Sequence, residues 1–403
     1  MLDNPALRSA LAAADQDQII FDLGGIEACY DALIRELPGV AVRFAMKACP
    51  VDEVLQVLAD SGAGFDAASP NEIAQAIRTG VPADRIHYGN TVKSDRDIAA
   101  AYRLGIRDFA TDSLPDVRAI AAQVPGGRVF CRLSTTGAGA LWGLSKKYGC
   151  SGDDAVAVLE EARALGLTPA GLSLHVGSQQ MTAEAWRRAF ADLTGMLLRL
   201  DDRGIFLDHI NLGGGLPALG YLDRRGTPLV PRMDQILDAI RDGMRHLRQV
   251  SRRPITFLLE PGRHLVADYG AIRAHVVRLT GRRGQGTWLY LSCGKFNGLY
   301  EMDQLQYRLE FPTHPTGPTV SAVIAGPTCD SDDAFASAHP VPERLASGDP
   351  VWIHSTGAYS VSYTTLRFNG FDPLPHHTVR AHQTVRARQA VPGQLLAACG
   401  GAE

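Results

Sequence analysis

The chain contains 403 residues, more than a single compact core usually holds, so we expect two domains. Hydrophobic residues make up 45% of the sequence and charged residues 21%, which is typical of a folded globular protein. The net charge is −3 and the basic residues are scattered, which excludes the basic surface that nucleic acid or an anionic membrane requires.

From residue 40 to residue 259, short β-rich segments alternate with longer segments rich in Ala, Leu, Glu and Arg. Short apolar strands that alternate with helices indicate a parallel sheet, and eight of them indicate one that closes on itself. The length of this region also suits a (β/α)8 TIM barrel, which typically has ~250 residues. We therefore predict an α/β barrel with strands at 40–46, 64–66, 86–88, 108–110, 128–133, 171–175, 209–212 and 255–259, and with helices that include 52–61, 71–79, 153–165, 183–203 and 233–250.

Beyond Arg263 the helical periodicity fades, and the chain becomes strand-rich with frequent Gly and Pro. Strands are predicted at 271–279, 287–292, 318–326 and 350–354. This pattern predicts a C-terminal antiparallel β-barrel or sandwich of about 130 residues, within the usual size of one domain. We expect a barrel domain at 22–268, a β domain made of 1–21 and 269–390, and a flexible tail at 391–403, where the residues are small and polar.

The cysteine pattern indicates in which cellular compartment the protein is expected. Seven cysteines, an odd number without paired C-x-x-C spacing, disfavour a disulfide framework and a zinc site and suit a reducing cytoplasm. No apolar run approaches the roughly 20 residues of a membrane span, and the first residues lack the pattern of a secretory signal. We expect a cytoplasmic protein with no metal, no membrane association and no nucleic-acid partner.

Polar residues follow most of the predicted barrel strands. Active sites of TIM barrels assemble at the carboxyl ends of the strands. Ordinary loop-forming residues would explain one or two of these positions, but this much charge and hydrogen-bonding capacity indicates a site. The residues are Lys47, Asp66, Asn90, Asp112, Arg132, His175, Gly213, Gly214, Gly215, Glu260 and Arg263.

Lys47 and Glu260 each allow two interpretations. A lysine that follows an apolar strand most often reaches the surface with its amine. The functional alternative is a desolvated amine of lowered pKa that forms an imine with a carbonyl cofactor. Glu260 is either part of a surface ion pair in a turn, or a buried carboxylate that keeps a pyridine nitrogen protonated so that the ring withdraws electrons.

The glycines at 213–215 and the segment 175–178 are equally ambiguous alone. Three glycines can form a tight turn, but free amides after the seventh strand are also where barrels commonly bind phosphate. His175 is either a satisfied core histidine or a ring that stacks on a flat cofactor. In the second case, the hydroxyl of Ser178 would bind the phosphate.

In combination these segments resemble the fold type III, alanine racemase-like, pyridoxal-phosphate decarboxylases. In the predicted barrel the likeness rests on FAMKA (44–48), GFDAAS (64–69), HVGS (175–178), GGG (213–215) and EPGR (260–263). In the C-terminal part, GPTCDSD (326–332), GAYS (357–360) and FNGF (368–371) resemble the bacterial branch of ornithine and lysine decarboxylases. The resemblance runs from about residue 21 to residue 371.

The resemblance implies pyridoxal 5′-phosphate as the cofactor, held by Lys47 as a Schiff base. His175 would stack on the pyridine ring, Glu260 would bind its nitrogen, and Asp66 would lie near the Schiff base. The remaining cofactor-binding residues, most of them around the phosphate, would be Arg132, Ser178, Gly213, Gly214, Gly215, Arg263 and Tyr359.

The resemblance also implies a shared site in a homodimer. Cys329 would protonate the carbanion carbon after CO2 leaves, as suits a weakly acidic thiol. Asp330 would bind the distal ammonium of the substrate through a charge-assisted hydrogen bond. In this family both residues enter the site of the neighbouring subunit. Glu301 or Asp303 would supply a second carboxylate for the substrate.

The segment 294–303 departs from the family, because its acidic residues are spaced differently from the usual pattern. The leading hypothesis is decarboxylation of L-ornithine to putrescine, with lysine as a further substrate that would give cadaverine. The departure keeps other substrates open: diaminobutyrate, diaminopimelate or an N-substituted, pathway-specific diamino acid. A racemase would need a tyrosine where the chain has Cys329. A catalytically inactive, partner-binding homologue would have lost the cofactor residues.

Overall fold

A computed structural model of the chain describes residues 4–144 and 146–380. The described helices are α1 Pro5–Ala13, α2 Leu23–Glu36, α3 Asp52–Asp60, α4 Pro70–Arg78, α5 Asp95–Arg103, α6 Leu114–Gln123, α7 Gly152–Ala164, α8 Ala183–Asp201, α9 Met233–Val250 and α10 Arg263–Val266. The strands up to the end of the barrel are β1 Gln18–Asp22, β2 Val40–Ala45, β3 Gly64–Ala67, β4 Ile86–Tyr88, β5 Asp108–Thr111, β6 Arg128–Arg132, β7 Ala140–Trp142, β8 Thr168–Ser173, β9 Ser178–Gln180, β10 His209–Asn211 and β11 Thr256–Leu259. The later strands are β12 Gly270–Arg282, β13 Gly286–Leu291, β14 Leu309–Glu310, β15 Thr319–Ala325, β16 Ala334–Pro342, β17 Pro350–His354 and β18 His376–Val379.

The predicted barrel is confirmed. Eight parallel strands close in the order β10-β11-β2-β3-β4-β5-β6-β8, and each overlaps one of the eight predicted strands. The strands are short and apolar because the core packs against both of their faces. Helix α9 shows how the outer ring is attached, since Ile236, Ile240, Met244 and Leu247 recur at helical spacing and are buried.

The loop after β3 shows how local sequence fixes the upper rim of the barrel. Ser69 caps α4 by accepting a hydrogen bond from the Glu72 amide at 3.3 Å. The Glu72 carboxylate accepts one from the Ala68 amide at 2.6 Å. This arrangement is similar to a capping box. It satisfies the Glu72 amide in the first turn of the helix and the Ala68 amide just before the helix, and it anchors the turn that follows Asp66.

The C-terminal strands form a second sheet, which is mixed rather than wholly antiparallel. Its main path is β14-β17-β12-β13-β15-β16, and β13 pairs with β15 in parallel, as β1 does with β18. The prediction of an antiparallel sheet was wrong at these two pairs. In each pair the two strands are separated by other segments of the chain, and turn patterns in the sequence do not show which distant segment a strand will join. The four strands predicted here are present, whereas β1, β14, β16 and β18 were not predicted.

The N-terminal strand β1 belongs to this second sheet, where it pairs with β12 and β18. The predicted domain boundaries at residues 22 and 268 stay a prediction. The pairing of β1 with the second sheet is consistent with them. The predicted tail 391–403 and the last ten residues of the predicted β domain lie outside the described residues. Within the described residues, no helix is both long and apolar enough to cross a membrane.

Candidate active site

The carboxyl ends of the barrel strands surround a cavity of about 600 Å³, which we call the main cavity. It lies between the barrel and a loop of the second sheet. Most of the residues predicted at strand ends come together here, although they are far apart in the sequence. Its walls include Lys47, Asp66, Asn90, Arg132, Leu144, Lys146, Lys147, Tyr148, His175, Ser178, Glu260, Tyr359 and Tyr363.

Lys47 lies in a short 3-10 turn directly after β2, with 53% of its side chain exposed. Its Nζ atom is 3.6 Å from Oδ2 of Asp66. Partial removal of the amine from water favours its neutral form, but Asp66, Tyr359 and Glu260 outweigh that effect and raise the pKa of Lys47. The predicted lowering of this pKa was therefore wrong, because the carboxylate of Asp66 stabilises the ammonium form.

Asp66 is buried near the end of β3. Burial favours its neutral acid, but Lys47 and His87 hold the pKa of Asp66 well below its usual range. Gly89 leaves room for the carboxylate, since a side-chain carbon at that position would lie 1.8 Å from Oδ1 of Asp66. The ionised carboxylate thus faces the Lys47 amine at a fixed position.

Glu260 follows β11 and is held by two residues that were not singled out from the sequence. The side-chain amide of Asn211, the last residue of β10, donates to Oε1 of Glu260 at 2.5 Å. His87 Nε2 lies 2.8 Å from the same oxygen and 3.2 Å from Oδ1 of Asp66. The available signal for His87 was a lone polar residue between Ile86 and Tyr88 in a very short strand.

His175 lies at the rim, two residues after β8. The Gly177 amide donates to its Nδ1 at 3.0 Å, so the neutral ring carries its hydrogen on Nε2. Burial and the cations Arg132 and Lys47 lower the pKa of His175 to about 3. The site therefore presents a neutral imidazole to the main cavity near neutral pH.

The three glycines after β10 form a turn that tolerates no side chain. Gly213 and Gly215 have φ values of +65° and +112°, and a side-chain carbon on Gly213 would lie 2.0 Å from the Leu174 carbonyl oxygen. The Gly213 amide already donates to Oδ1 of Asn211 at 2.9 Å. No acceptor among residues 4–144 and 146–380 pairs with the amides of Gly214 and Gly215, so two donors remain for an anion.

Arg263 begins α10, and its side chain is buried. Its Nη2 lies 3.2 Å from Oγ of Ser178, and Nη1 lies 3.1 Å from the hydroxyl of Tyr221. Both Nη atoms also bind Glu301, with a distance of 2.6 Å for the pair from Nη2 to Oε1. The predicted phosphate-binding arginine is thus already paired with a predicted substrate-binding carboxylate.

Tyr359 reaches the barrel from the second sheet. Its amide donates to the Ala48 carbonyl at 2.7 Å, directly beside Lys47, and its φ is +64°. The Arg263 guanidinium lies 4.8 Å from the centre of its ring. This strained backbone position attaches the second domain to the lysine turn.

A smaller cavity of about 270 Å³ adjoins the main cavity, and Ser178, Tyr359 and other residues line both. Glu301 and Asp303 line the smaller one. Oδ2 of Asp303 is 2.9 Å from Nζ of Lys295, and the Asp303 side chain is 54% exposed. Each of the two predicted carboxylates is therefore paired with a cation in this chain.

Cys329 and Asp330 are not among the residues that line either cavity. They lie exposed in the turn between β15 and β16. The buried carboxylate of Asp333 fixes this turn by accepting hydrogen bonds from Thr328 and from the Lys295 amide. The Cys329 amide donates to Oδ1 of Asn369 at 2.9 Å. The turn is thus held in place, with Cys329 and Asp330 exposed and outside the cavities of their own chain.

These residues fit pyridoxal phosphate. Lys47 presents an amine to the main cavity, and Glu260, which Asn211 fixes, lines the same cavity and could bind a ring nitrogen. The free amides of Gly214 and Gly215 and the hydroxyl of Ser178 are groups that suit a phosphate. Glycine is needed at 213–215 because a side-chain carbon there would lie within 2.8 Å of a backbone carbonyl oxygen.

Comparisons with known proteins agree with this geometry. The family model of the pyridoxal-dependent decarboxylases, pyridoxal binding domain, matches residues 23–267. Lysine/ornithine decarboxylase of Selenomonas ruminantium is 30% identical over 364 residues, which cover 89% of this chain and 88% of that protein.

Solved structures give the same result. SrLDC, the lysine decarboxylase of Selenomonas ruminantium, in complex with pyridoxal phosphate and cadaverine has a TM-score of 0.81 at 26% identity, covering 94% of each chain. The lysine/ornithine decarboxylase from Vibrio vulnificus in complex with putrescine has a TM-score of 0.79 at 28% identity, covering 92% of this chain and 96% of that one. The family match spans more than half of the chain and includes every barrel residue of the site. The chain therefore belongs to the pyridoxal-dependent decarboxylases, with a TIM barrel that binds pyridoxal phosphate.

Proposed function

We propose that the protein decarboxylates a basic L-amino acid, with L-ornithine as the preferred substrate, giving putrescine and CO2, and with lysine as a second substrate. The observation that carries this proposal is the arrangement of Lys47, Asp66 and Glu260 around one cavity, with carboxylates in the adjoining cavity. The relatives named as lysine and ornithine decarboxylases support the choice of substrates.

In this proposal the chain's own residues divide the work. The amine of Lys47 would hold the cofactor through its aldehyde carbon, with release of water, and the neutral ring of His175 would pack against the cofactor ring. Glu260 would pair with the protonated ring nitrogen. When bound, the cofactor supplies an electron-withdrawing ring that delocalises the electrons left by departing CO2. Gly214, Gly215, Ser178 and Arg263 would hold the phosphate, and Arg132 and Tyr359 would complete the cofactor site.

The protonation step belongs to Cys329, whose Sγ would deliver a proton to the substrate carbon. Because this thiol is exposed on its own chain, we propose a homodimer in which Cys329 and Asp330 complete the site of the partner subunit. Asp330 would then bind the distal ammonium group. Among the described residues, the carboxylates that line the smaller cavity are Glu301 and Asp303, and both are already paired with cations.

Mixing two inactive variants tests the shared site. Lys47→Ala and Cys329→Ala would each lack one component of the site, and random reassociation would restore one intact site in each mixed dimer. We expect about a quarter of the wild-type activity after mixing, since half of the dimers would be mixed. No recovery of activity in a sample shown to exchange subunits would overturn the shared site.

A substrate panel read by CO2 release tests the reaction. Ornithine, lysine, diaminobutyrate, diaminopimelate and arginine would be compared at equal concentration, and release from ornithine should be fastest. Release from none of them would reject this substrate class. The unusual acidic spacing at 294–303 favours a second candidate, an N-substituted diamino acid. Activity with such a compound and not with ornithine would establish it.

An absorbance band at about 420 nm separates an enzyme from an inactive, partner-binding homologue. The band should appear in the wild type with added cofactor and be absent in Lys47→Ala. A wild-type protein that takes up no cofactor would favour the inactive homologue. The six described cysteines, all with free thiols, agree with our proposal of a cytoplasmic location.

A further inference from the structure

His87 occupies the middle of β4, and its side chain is fully buried inside the barrel. In the sheet register it pairs with Asp66 of β3. The Phe130 ring covers it at 5.1 Å between centroids. Nothing in the proposed reaction uses this imidazole, although it lies between two carboxylates of the site.

The geometry places one atom of His87 against both acids. Nε2 lies 2.8 Å from Oε1 of Glu260 and 3.2 Å from Oδ1 of Asp66. Atoms of the three groups all lie within 4.8 Å of one another, so two ionised carboxylates here would repel each other. Neither contact has the alignment of a full hydrogen bond, so a hydrogen on Nε2 would offset that repulsion as a positive group between the two acids.

We propose that His87 is a positioning residue whose Nε2 hydrogen is shared by Glu260 and Asp66 and keeps Glu260 directed at the cofactor ring. The Asn211 amide binds the same Oε1 of Glu260, at 2.5 Å. The Asn211 hydrogen bond fixes that oxygen, the nearby Nε2 of His87 adds an electrostatic attraction, and Oε2 is left for the ring nitrogen. This inference rests on the proposed function, in which the pyridine nitrogen of the cofactor binds Glu260.

The charged surroundings of His87 are consistent with this role. Burial and the Arg43 guanidinium of β2 oppose a charge on the ring, but Asp66 and Glu260 outweigh them and raise the pKa of His87. Arg43 in turn lies 3.9 Å from Asp108 of β5. On the other side of Asp66, the Lys47 Nζ atom lies 3.6 Å from Oδ2 of that carboxylate. The raised pKa favours the protonated form of the imidazole.

Nuclear magnetic resonance of the cofactor-free, full-length protein labelled with ¹⁵N-histidine tests the hydrogen directly. The signal of His87 would be assigned by its absence in His87→Gln. We expect a hydrogen on Nε2 throughout the range of about pH 6 to 8 in which histidines usually titrate. An Nε2 without hydrogen in this range would overturn the proposal, whatever the protein's substrate.

Cofactor affinity provides the second readout. His87→Leu removes the donor and should weaken pyridoxal phosphate binding by roughly ten- to a hundredfold, as for a lost hydrogen bond to a charged group. His87→Gln keeps an N–H donor and should restore part of the affinity. His209→Gln is the matched control, because His209 is also buried and packs on Phe130 at 5.5 Å, but pairs with Asp208. Wild-type affinity in His87→Leu would overturn the proposal.

Two further outcomes are distinguishable. Failure of the wild type itself to take up cofactor would reject the proposed function, while the nuclear magnetic resonance result on His87 would still stand. Asp66, His87 and Glu260 could also hold a metal ion. Elemental analysis that finds one divalent ion per chain, lost in His87→Leu, would replace the shared hydrogen with a metal and overturn the inference.

Discussion

Glu301→Gln should make the cofactor-free protein less stable and, at the same time, bind phosphate more tightly. In the wild type the Glu301 carboxylate binds both Nη atoms of Arg263, with 2.6 Å from Nη2 to Oε1. The Arg263 and Glu301 side chains are 4% and 8% exposed, so little solvent screens the pair. A phosphate group held by Ser178 must share this guanidinium with Glu301.

The burial of the ion pair between Arg263 and Glu301 sets the size of both effects. Removing one partner of a buried ion pair costs about 3–5 kcal/mol, and Gln keeps one acceptor oxygen, so we expect about 3 kcal/mol. The freed guanidinium then gains charge-assisted bonds to phosphate of about 1.5–3 kcal/mol, which is roughly a ten- to a hundredfold gain in affinity.

Urea unfolding of the cofactor-free protein measures the loss of stability, and titration with inorganic phosphate measures the gain in affinity. Asp303→Asn is the matched control. Its half-exposed pair with Lys295 should contribute less than about 1 kcal/mol to stability, and its loss should leave phosphate affinity unchanged. Equal stability of the two variants, or weaker phosphate binding by Glu301→Gln, would refute the idea that Glu301 competes for Arg263.

Three other predictions concern neighbouring groups. The pKa of His175 is lowered from 6.5 to about 3, so the unfolded chain binds this proton at a higher pH than the folded chain does. The free energy of unfolding should therefore fall as the pH drops from 6.5 towards 3. His175→Gln should make this fall smaller, as measured by urea unfolding at several pH values. Asp66→Asn removes the strongest attraction that raises the pKa of Lys47, so an amine-specific label should modify Lys47 at lower pH, as followed by peptide mass spectrometry. Asn369→Ala removes the acceptor for the Cys329 amide and should lower CO2 release while leaving the cofactor absorbance band intact; an unchanged rate would show that this contact does not position the thiol.

The sequence predicted the barrel well because each strand and helix is encoded locally. The strand at 86–88 and the helix at 233–250 coincide with β4 and α9, and the other predicted barrel strands differ mainly at their ends. In the second sheet the parallel pairs β13–β15 and β1–β18 escaped prediction, because no local pattern specifies which distant segment joins a strand.

The site shows the same contrast between residues that local sequence identifies and contacts that depend on distant segments. Strand ends and motifs identified Lys47, Asp66 and Glu260, since the carboxyl ends of barrel strands must converge. His87 escaped notice because its importance comes from the register that sets β4 beside β3. The pairing of Glu301 with Arg263 joins a segment of the second domain to the barrel, and sequence spacing alone does not contain that contact.

The raised pKa of Lys47 has a consequence for how the site works. A lysine held as an ammonium ion by Asp66 does not attack an aldehyde until it loses its proton. Asp66 is itself strongly ionised, so it is a poor acceptor for that proton. A protonated ring nitrogen at Glu260 would offset part of the negative charge that stabilises the ammonium form, whereas a phosphate beside Arg263 would add negative charge. In the cofactor-free protein, Asp66 and Glu260 therefore favour the unreactive ammonium form of Lys47.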